Sequence, residues 1–157
     1  MSTIDAEHFT KALRMLLNET FDSGYGFFLD RNTSLFETLA GISAAEASIP
    51  VGEKCATLAA QVKHVAFYLN DTVKAVREPS DAPVDWGEIW RTVKAVTPDE
   101  WEAIKAELRD SYNRILALIA DTPSWPNEQY IGGAIAVIAH TAYHLGEIRQ
   151  ALCTLKP

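Results

Sequence analysis

Cysteine is scarce in this chain of 157 residues, which carries only Cys55 and Cys153. Two thiols cannot make a disulfide framework, and beside a well-furnished apolar core they read as reduced, buried and cytosolic. Basic residues are also few, with 14 Lys and Arg against 21 Asp and Glu, for a formal net charge of -7. Nowhere do four of them cluster. Nucleic-acid binding relies on clustered Lys and Arg to release counterions, so no nucleic-acid partner is expected. A polybasic membrane attachment is unexpected for the same reason. Long apolar runs are missing too. The uncharged stretch 129–146 loses its unbroken apolar character after Ala139, where His140, Thr141, Tyr143 and His144 follow. A membrane span needs roughly 20 predominantly apolar residues. Acids near the N-terminus, Asp5 and Glu7, stand where a signal peptide needs basic residues. Cytoplasmic localisation is therefore expected. No Asn-Gly or Asp-Gly turn and no sustained period-two alternation is present, which leaves no hairpin signal.

What remains is helical periodicity. Leu58, Val62, Val65, Leu69, Val73 and Val76 step by three and four residues and lay one apolar stripe along a helix. Trp101, Ile104, Leu108, Tyr112, Ile115 and Ile119 form a second, and Ile131, Ile135, Ile138, Ala142, Leu145 and Leu152 a third. Phe9, Leu13, Leu16 and Leu17 mark a helix near the N-terminus. Thr97-Pro98-Asp99-Glu100 combines a capping hydroxyl, a proline at the first helical position and a reciprocal Glu. Ser34 with Glu37 and Ser43 with Glu46 repeat the capping pattern and predict short helices in the first connection. Breakers lie between the stripes: Gly24 and Gly26, Pro50 and Gly52, Pro79 and Pro83, Pro123 and Pro126. Four long helices follow, over 4–21, 54–77, 98–121 and 128–155, with shorter pieces near 33–41 and 86–93. The expectation is an all-α four-helix bundle with short extra helices in its connections, filling one domain over residues 1–157.

Four histidines are present: His8, His64, His140 and His144. His140 and His144 are spaced i, i+4, which stacks two imidazoles on one helical face, as recurs in zinc sites. The spacing by itself fits two satisfied histidines equally well. The pair lies, however, in the most apolar helix, where an unpartnered imidazole is costly to bury. His64 lies midway along another largely apolar helix that can face the pair. Three neutral His on two helices with a fourth position open is the pattern of a catalytic metal site. Glu147, three residues after His144, is within reach as an orienting or proton-handling carboxylate. His8 precedes the first stripe and reads as a solvent-side residue. Imidazoles suit Zn, Ni, Fe and Cu alike.

The frame Leu58-Ala59-Ala60-Gln61-Val62-Lys63-His64, followed far downstream by His140-x-x-x-His144-Leu145-Gly146-Glu147-Ile148, resembles the DinB-like superfamily. The resemblance extends over nearly the whole chain. It implies a four-helix bundle in up-down-down-up order, with His64, His140 and His144 as the ligands of one divalent metal ion, Zn or Ni above all. It further implies a homodimer and a small-molecule substrate, since the superfamily includes metal-dependent thiol S-transferases and a thiol-dependent maleylpyruvate isomerase. A low-molecular-weight thiol would then be the second cofactor. Leu145 and Glu147 depart from the common motif, which has a basic residue and Gln there.

Other chemistries lack their residues. A ferritin-like di-iron site needs Glu-x-x-His, and no Glu here has a His three positions later. No Gly-x-Ser-x-Gly elbow is present. Cys153, near the end of the last helix, reads as a small apolar residue. Trp86 and Trp90, one turn apart, fit packing or a pocket wall; Tyr68, Asp71 and Tyr143 fit a ligand contact or a plain helix surface. Two function classes remain. One is a metal-dependent enzyme that activates a thiol or water for transfer to a small electrophile, with Glu147 as the candidate catalytic carboxylate. The other is a non-catalytic dimeric helical-bundle binding or stress-response module with a vestigial or structural metal site.

Overall fold

Side-chain oxygens fix where the helices begin. In the computed structural model, which describes residues 4–24, 26–50, 56–122 and 124–155, all named elements are helices. Asp5 accepts from the amide of Glu7 and opens α1 (Ala6–Phe21). Capping boxes at Ser34 and Ser43 open α2 (Leu35–Ala40) and α3 (Ala44–Ala47). Thr57 caps α4 (Leu58–Arg77), four residues later than the periodicity placed its start. After α5 (Glu88–Thr92) comes α6 (Pro98–Ala120), which starts at the Thr97–Glu100 box with Pro98 in its first turn. The last described element is α7 (Glu128–Leu155). Gly52, Cys55 and Pro123, and the expected first turn of the second helix at 54–55, lie outside the described residues.

Polar pairs reveal the helix directions. Lys63 pairs with Glu107, Asn70 with Arg114 at 3.0 Å, and Arg77 with Asp121 at 3.0 Å. Both members advance by seven residues each time, so α4 and α6 run parallel. In contrast, Thr10 meets Trp125 just beyond α6, while Phe21 stacks on Tyr112 at 4.2 Å, so α1 runs against α6. His64 and Tyr68 of α4 meet His144 and His140 of α7 in descending order, so α7 runs against α4. Helices α1 and α7 point one way, α4 and α6 the other.

The second stripe is buried throughout, Trp101 through Ile119, and Leu58, Val62, Val65 and Leu69 are buried with it. The third stripe is corrected. In α7 the inward seam is Val137, Thr141, Leu145, Ile148 and Ala151, while Ile135 is 51% exposed. Apolar residues run nearly all round α7, so their spacing alone does not say which face turns inward. Cys153 is likewise corrected: it is exposed, beyond the seam that Ile148 and Ala151 define. None of the helices among the described residues is long and apolar enough to cross a membrane.

Parallel neighbours impose a long connection. The chain must return the full length of α4, about 30 Å at 1.5 Å per residue, before α6 can begin. Residues 78–97 make that return alongside α4: Trp86 meets Phe67 and Tyr68, Trp90 meets His64, and the carbonyl of Lys94 reaches Thr57. The connection therefore passes over the middle of α4, where His64 lies.

Candidate metal centre

The antiparallel packing of α4 on α7 brings His64, His140 and His144 together. One ligand atom from each lies within 4.8 Å of the others, a grouping that can hold a metal ion. Ring centroids are 5.2 Å apart for His64 and His140, 5.0 Å for His64 and His144, and 4.7 Å for the i, i+4 pair. His64 and His144 are buried, at 7% and 6% exposure, and His140 is half-buried. His8 lies apart, exposed on α1.

Burial sets the charge of the cluster. Desolvation lowers the proton affinity of all three rings, since a charged imidazolium is costly away from water. For His140 desolvation is the largest cause, repulsion from His144 and His64 adds to it, and its pKa falls to about 4. At neutral pH the rings are therefore uncharged, with a lone pair on each. Glu147 opposes the shift and orients one ring. Its carboxylate lies 2.9 Å from Nδ1 of His144, so Nδ1–H donates to it and Nε2 is left to accept a metal.

The unpartnered atoms lie on the same two helices. The buried side-chain atoms without a hydrogen-bond partner among the described residues are Nδ1 of His64, Nε2 of His140, Oε1 of Gln61 and Oγ1 of Thr141. Each belongs to α4 or α7, within three residues of a cluster histidine. Buried polar atoms are normally paired, so an orphan marks a missing partner. Two of these orphans are imidazole nitrogens, so the donor set fits a metal of borderline softness.

Aromatic rings enclose the cluster. Tyr68 stacks on His140 with centroids 3.8 Å apart and planes 18° off parallel. Trp90 lies 4.5 Å from the His64 ring and 6.2 Å from His144, and Trp86 stands edge-on to His64 at 6.5 Å. Tyr143 reaches the His144 ring from outside, 5.1 Å away, and is itself 63% exposed. Asp71 makes none of these ring contacts; its charge acts on Tyr68. The tryptophan spacing alone did not place Trp86 and Trp90 at the histidines. What puts them there is the parallel α4–α6 arrangement, a long-range property that no local motif announces. Among known proteins, this chain matches no family model, no curated protein and no solved structure.

Proposed function

We propose that this chain is a metal-dependent enzyme of the DinB-like type, in which His64, His140 and His144 hold one divalent ion and a thiol or water is transferred to a small electrophile. The observation that carries the reading is the meeting of three uncharged imidazoles from two helices, two of them with an orphaned ring nitrogen. The helix order, α1 and α7 opposed to α4 and α6, agrees with the up-down-down-up order that the resemblance implies. Zn or Ni suits the all-nitrogen donor set. Such an ion would lower the pKa of a thiol or water and polarise the electrophile.

The chain's own groups have separate tasks. The carboxylate of Glu147 holds the His144 ring by its Nδ1–H and, being half-exposed, can also receive a proton released by the nucleophile. Trp90 and Tyr68 cover His64 and His140 and keep bulk water from the imidazoles. The outer face of α7 supports the homodimer. Gly132, Ile135, Ala139, Tyr143, Gly146 and Gln150 recur every three or four residues there, all exposed and none charged. A second copy would cover that stripe. A cytoplasmic site, where low-molecular-weight thiols stay reduced, suits the same chemistry.

Metal analysis of protein purified without a histidine tag tests the site. One Zn or Ni per chain is expected, retained in His8→Ala and lost in His140→Ala and His144→Ala. Free metal at a hundred times its dissociation constant adds about 2.7 kcal/mol of stability, a rise of about 5–10 °C in Tm for a domain of this size. A rise that survives loss of His144, or none at all, removes the metal site. Turnover of thiols with small electrophiles, dependent on added metal, then separates an enzyme from a binding module.

A further inference from the structure

A cavity of about 340 Å³ lies at the other end of the helices, between the last turns of α4 and α6 and the first turns of α7. It touches none of the three histidines. Among the described residues no Asp, Glu, Lys, Arg or His lines it, although 22% of the chain is charged. Its walls are mainly aliphatic and aromatic, and Gln129 and Tyr130, both exposed, add an amide and a phenol. Trp125 is a fixed part of them, held by its Nε1–H donating to Thr10 at 3.0 Å and by the edge of Phe9 at 4.7 Å. Besides the Tyr130 phenol, two threonine hydroxyls line the same space. Thr72 and Thr122 donate to the carbonyls of Tyr68 and Leu118, at 2.9 and 2.8 Å, which leaves their oxygens free to accept.

Gly133 is the telling residue. It lines the cavity from within a long helix, where glycine costs about 1 kcal/mol relative to alanine. A Cβ there would meet nothing within 4 Å, so close packing does not require the glycine. The missing side chain enlarges the space.

We infer that this cavity is a binding site, separate from the histidine cluster, for a small uncharged aromatic or alicyclic molecule. Size sets the scale. A dry apolar cavity of about 150 Å³ holds benzene, so this one takes about a dozen non-hydrogen atoms, the scale of a bicyclic ring. The uncharged lining excludes ions, since nothing in it repays their desolvation. The acceptor oxygens of Thr72 and Thr122 can receive one O–H from the ligand.

The test uses the full-length protein and 1-naphthol as probe, with 1-naphthoate as its charged counterpart. Calorimetry is expected to show one 1-naphthol per chain. Tm should rise by about 3–5 °C at ten times the dissociation constant, in the parent and in His144→Ala alike. Gly133→Leu fills the space without disturbing the helix, and Ala75→Trp closes it from an exposed position; each should weaken binding at least tenfold. The inference is overturned by no binding in the parent, by equal affinity for 1-naphthoate, or by binding that survives both filling variants. Loss of binding in His144→Ala would also overturn it, by assigning the probe to the histidine cluster.

Discussion

At the scale of single residues, two buried ionisable groups in this protein are solved in opposite ways. The cluster histidines stay neutral because burial outweighs the help of Glu147, and His140 falls to about 4. Unfolded histidine titrates near 6.5. Between those values the unfolded chain binds protons that the native chain refuses, so stability must fall as pH falls. For the metal-free protein, the urea midpoint should drop from pH 7.5 to 5.0, and His140→Ala should flatten that drop. An unchanged slope in the variant would refute the neutral-cluster account. Glu19 does the reverse. It is 2% exposed, and burial alone would raise its pKa, yet the amides of Leu29, Phe28 and Phe27 donate to it at 2.7–2.8 Å and hold it below the usual carboxylate range. Its contribution is complete above the unfolded pKa and is lost as pH falls through the lower folded one, a window below that of the histidines. Glu19→Ala should cost about 2–3 kcal/mol, read as a shift in urea midpoint; a loss under about 0.5 kcal/mol would mean water replaces the carboxylate at little cost. Glu147→Gln should weaken metal binding about 10- to 100-fold, as removal of an orienting partner does. A chelator competition checks it, with metal-free Tm nearly unchanged.

Between elements, the question is what holds parallel α4 and α6 together. Their polar ladder is conspicuous, but its members are largely exposed, with Arg77 and Asp121 side chains at 50% and 70%. Exposed pairs of this kind contribute about 0–1 kcal/mol. Leu108, fully buried between the helices, is a different matter. Leu108→Ala should cost about 2–5 kcal/mol, whereas Arg77→Ala should cost less than about 1 kcal/mol. Comparable losses in denaturant titrations would show that the ladder, and not packing, sets the register. The first connection is fastened more locally. Gly24 approaches the backbone so closely that a Cβ would lie 2.6 Å from the carbonyl oxygen of Asp30, and its amide donates to Glu37 at 3.0 Å. The same carboxylate completes the α2 capping box, so one side chain both starts a helix and closes the turn before it.

For the molecule as a whole, acidity and the uncharged face of α7 pull in different directions. A net charge of -7 disfavours self-association in general, while the α7 stripe itself contains no charged residue. If that stripe is the dimer seam, Ile135→Glu should convert a dimer into a monomer by light scattering at about 100 µM, with helix content unchanged. A parent that is already monomeric there removes the dimer.

Helix positions were legible because capping chemistry and apolar period are local. The Thr97–Glu100 box predicts the start of α6 at Pro98, and the breakers bound α7 at 128–155. The metal candidates were legible for the same reason, since His140 and His144 share a face by spacing alone. Three things were decided only in three dimensions. The inward face of α7 was fixed by what packs on it, because a helix apolar nearly all round carries no directional signal; hence the exposed Ile135 and Cys153. The enclosure of the histidines by Trp86 and Trp90 arose from the return path that parallel α4 and α6 require. The convergence of His64 on the pair depended on helix order across the 75 residues between His64 and His140. Local sequence determined the elements and the residue chemistry; contacts between distant segments decided which chemistry meets.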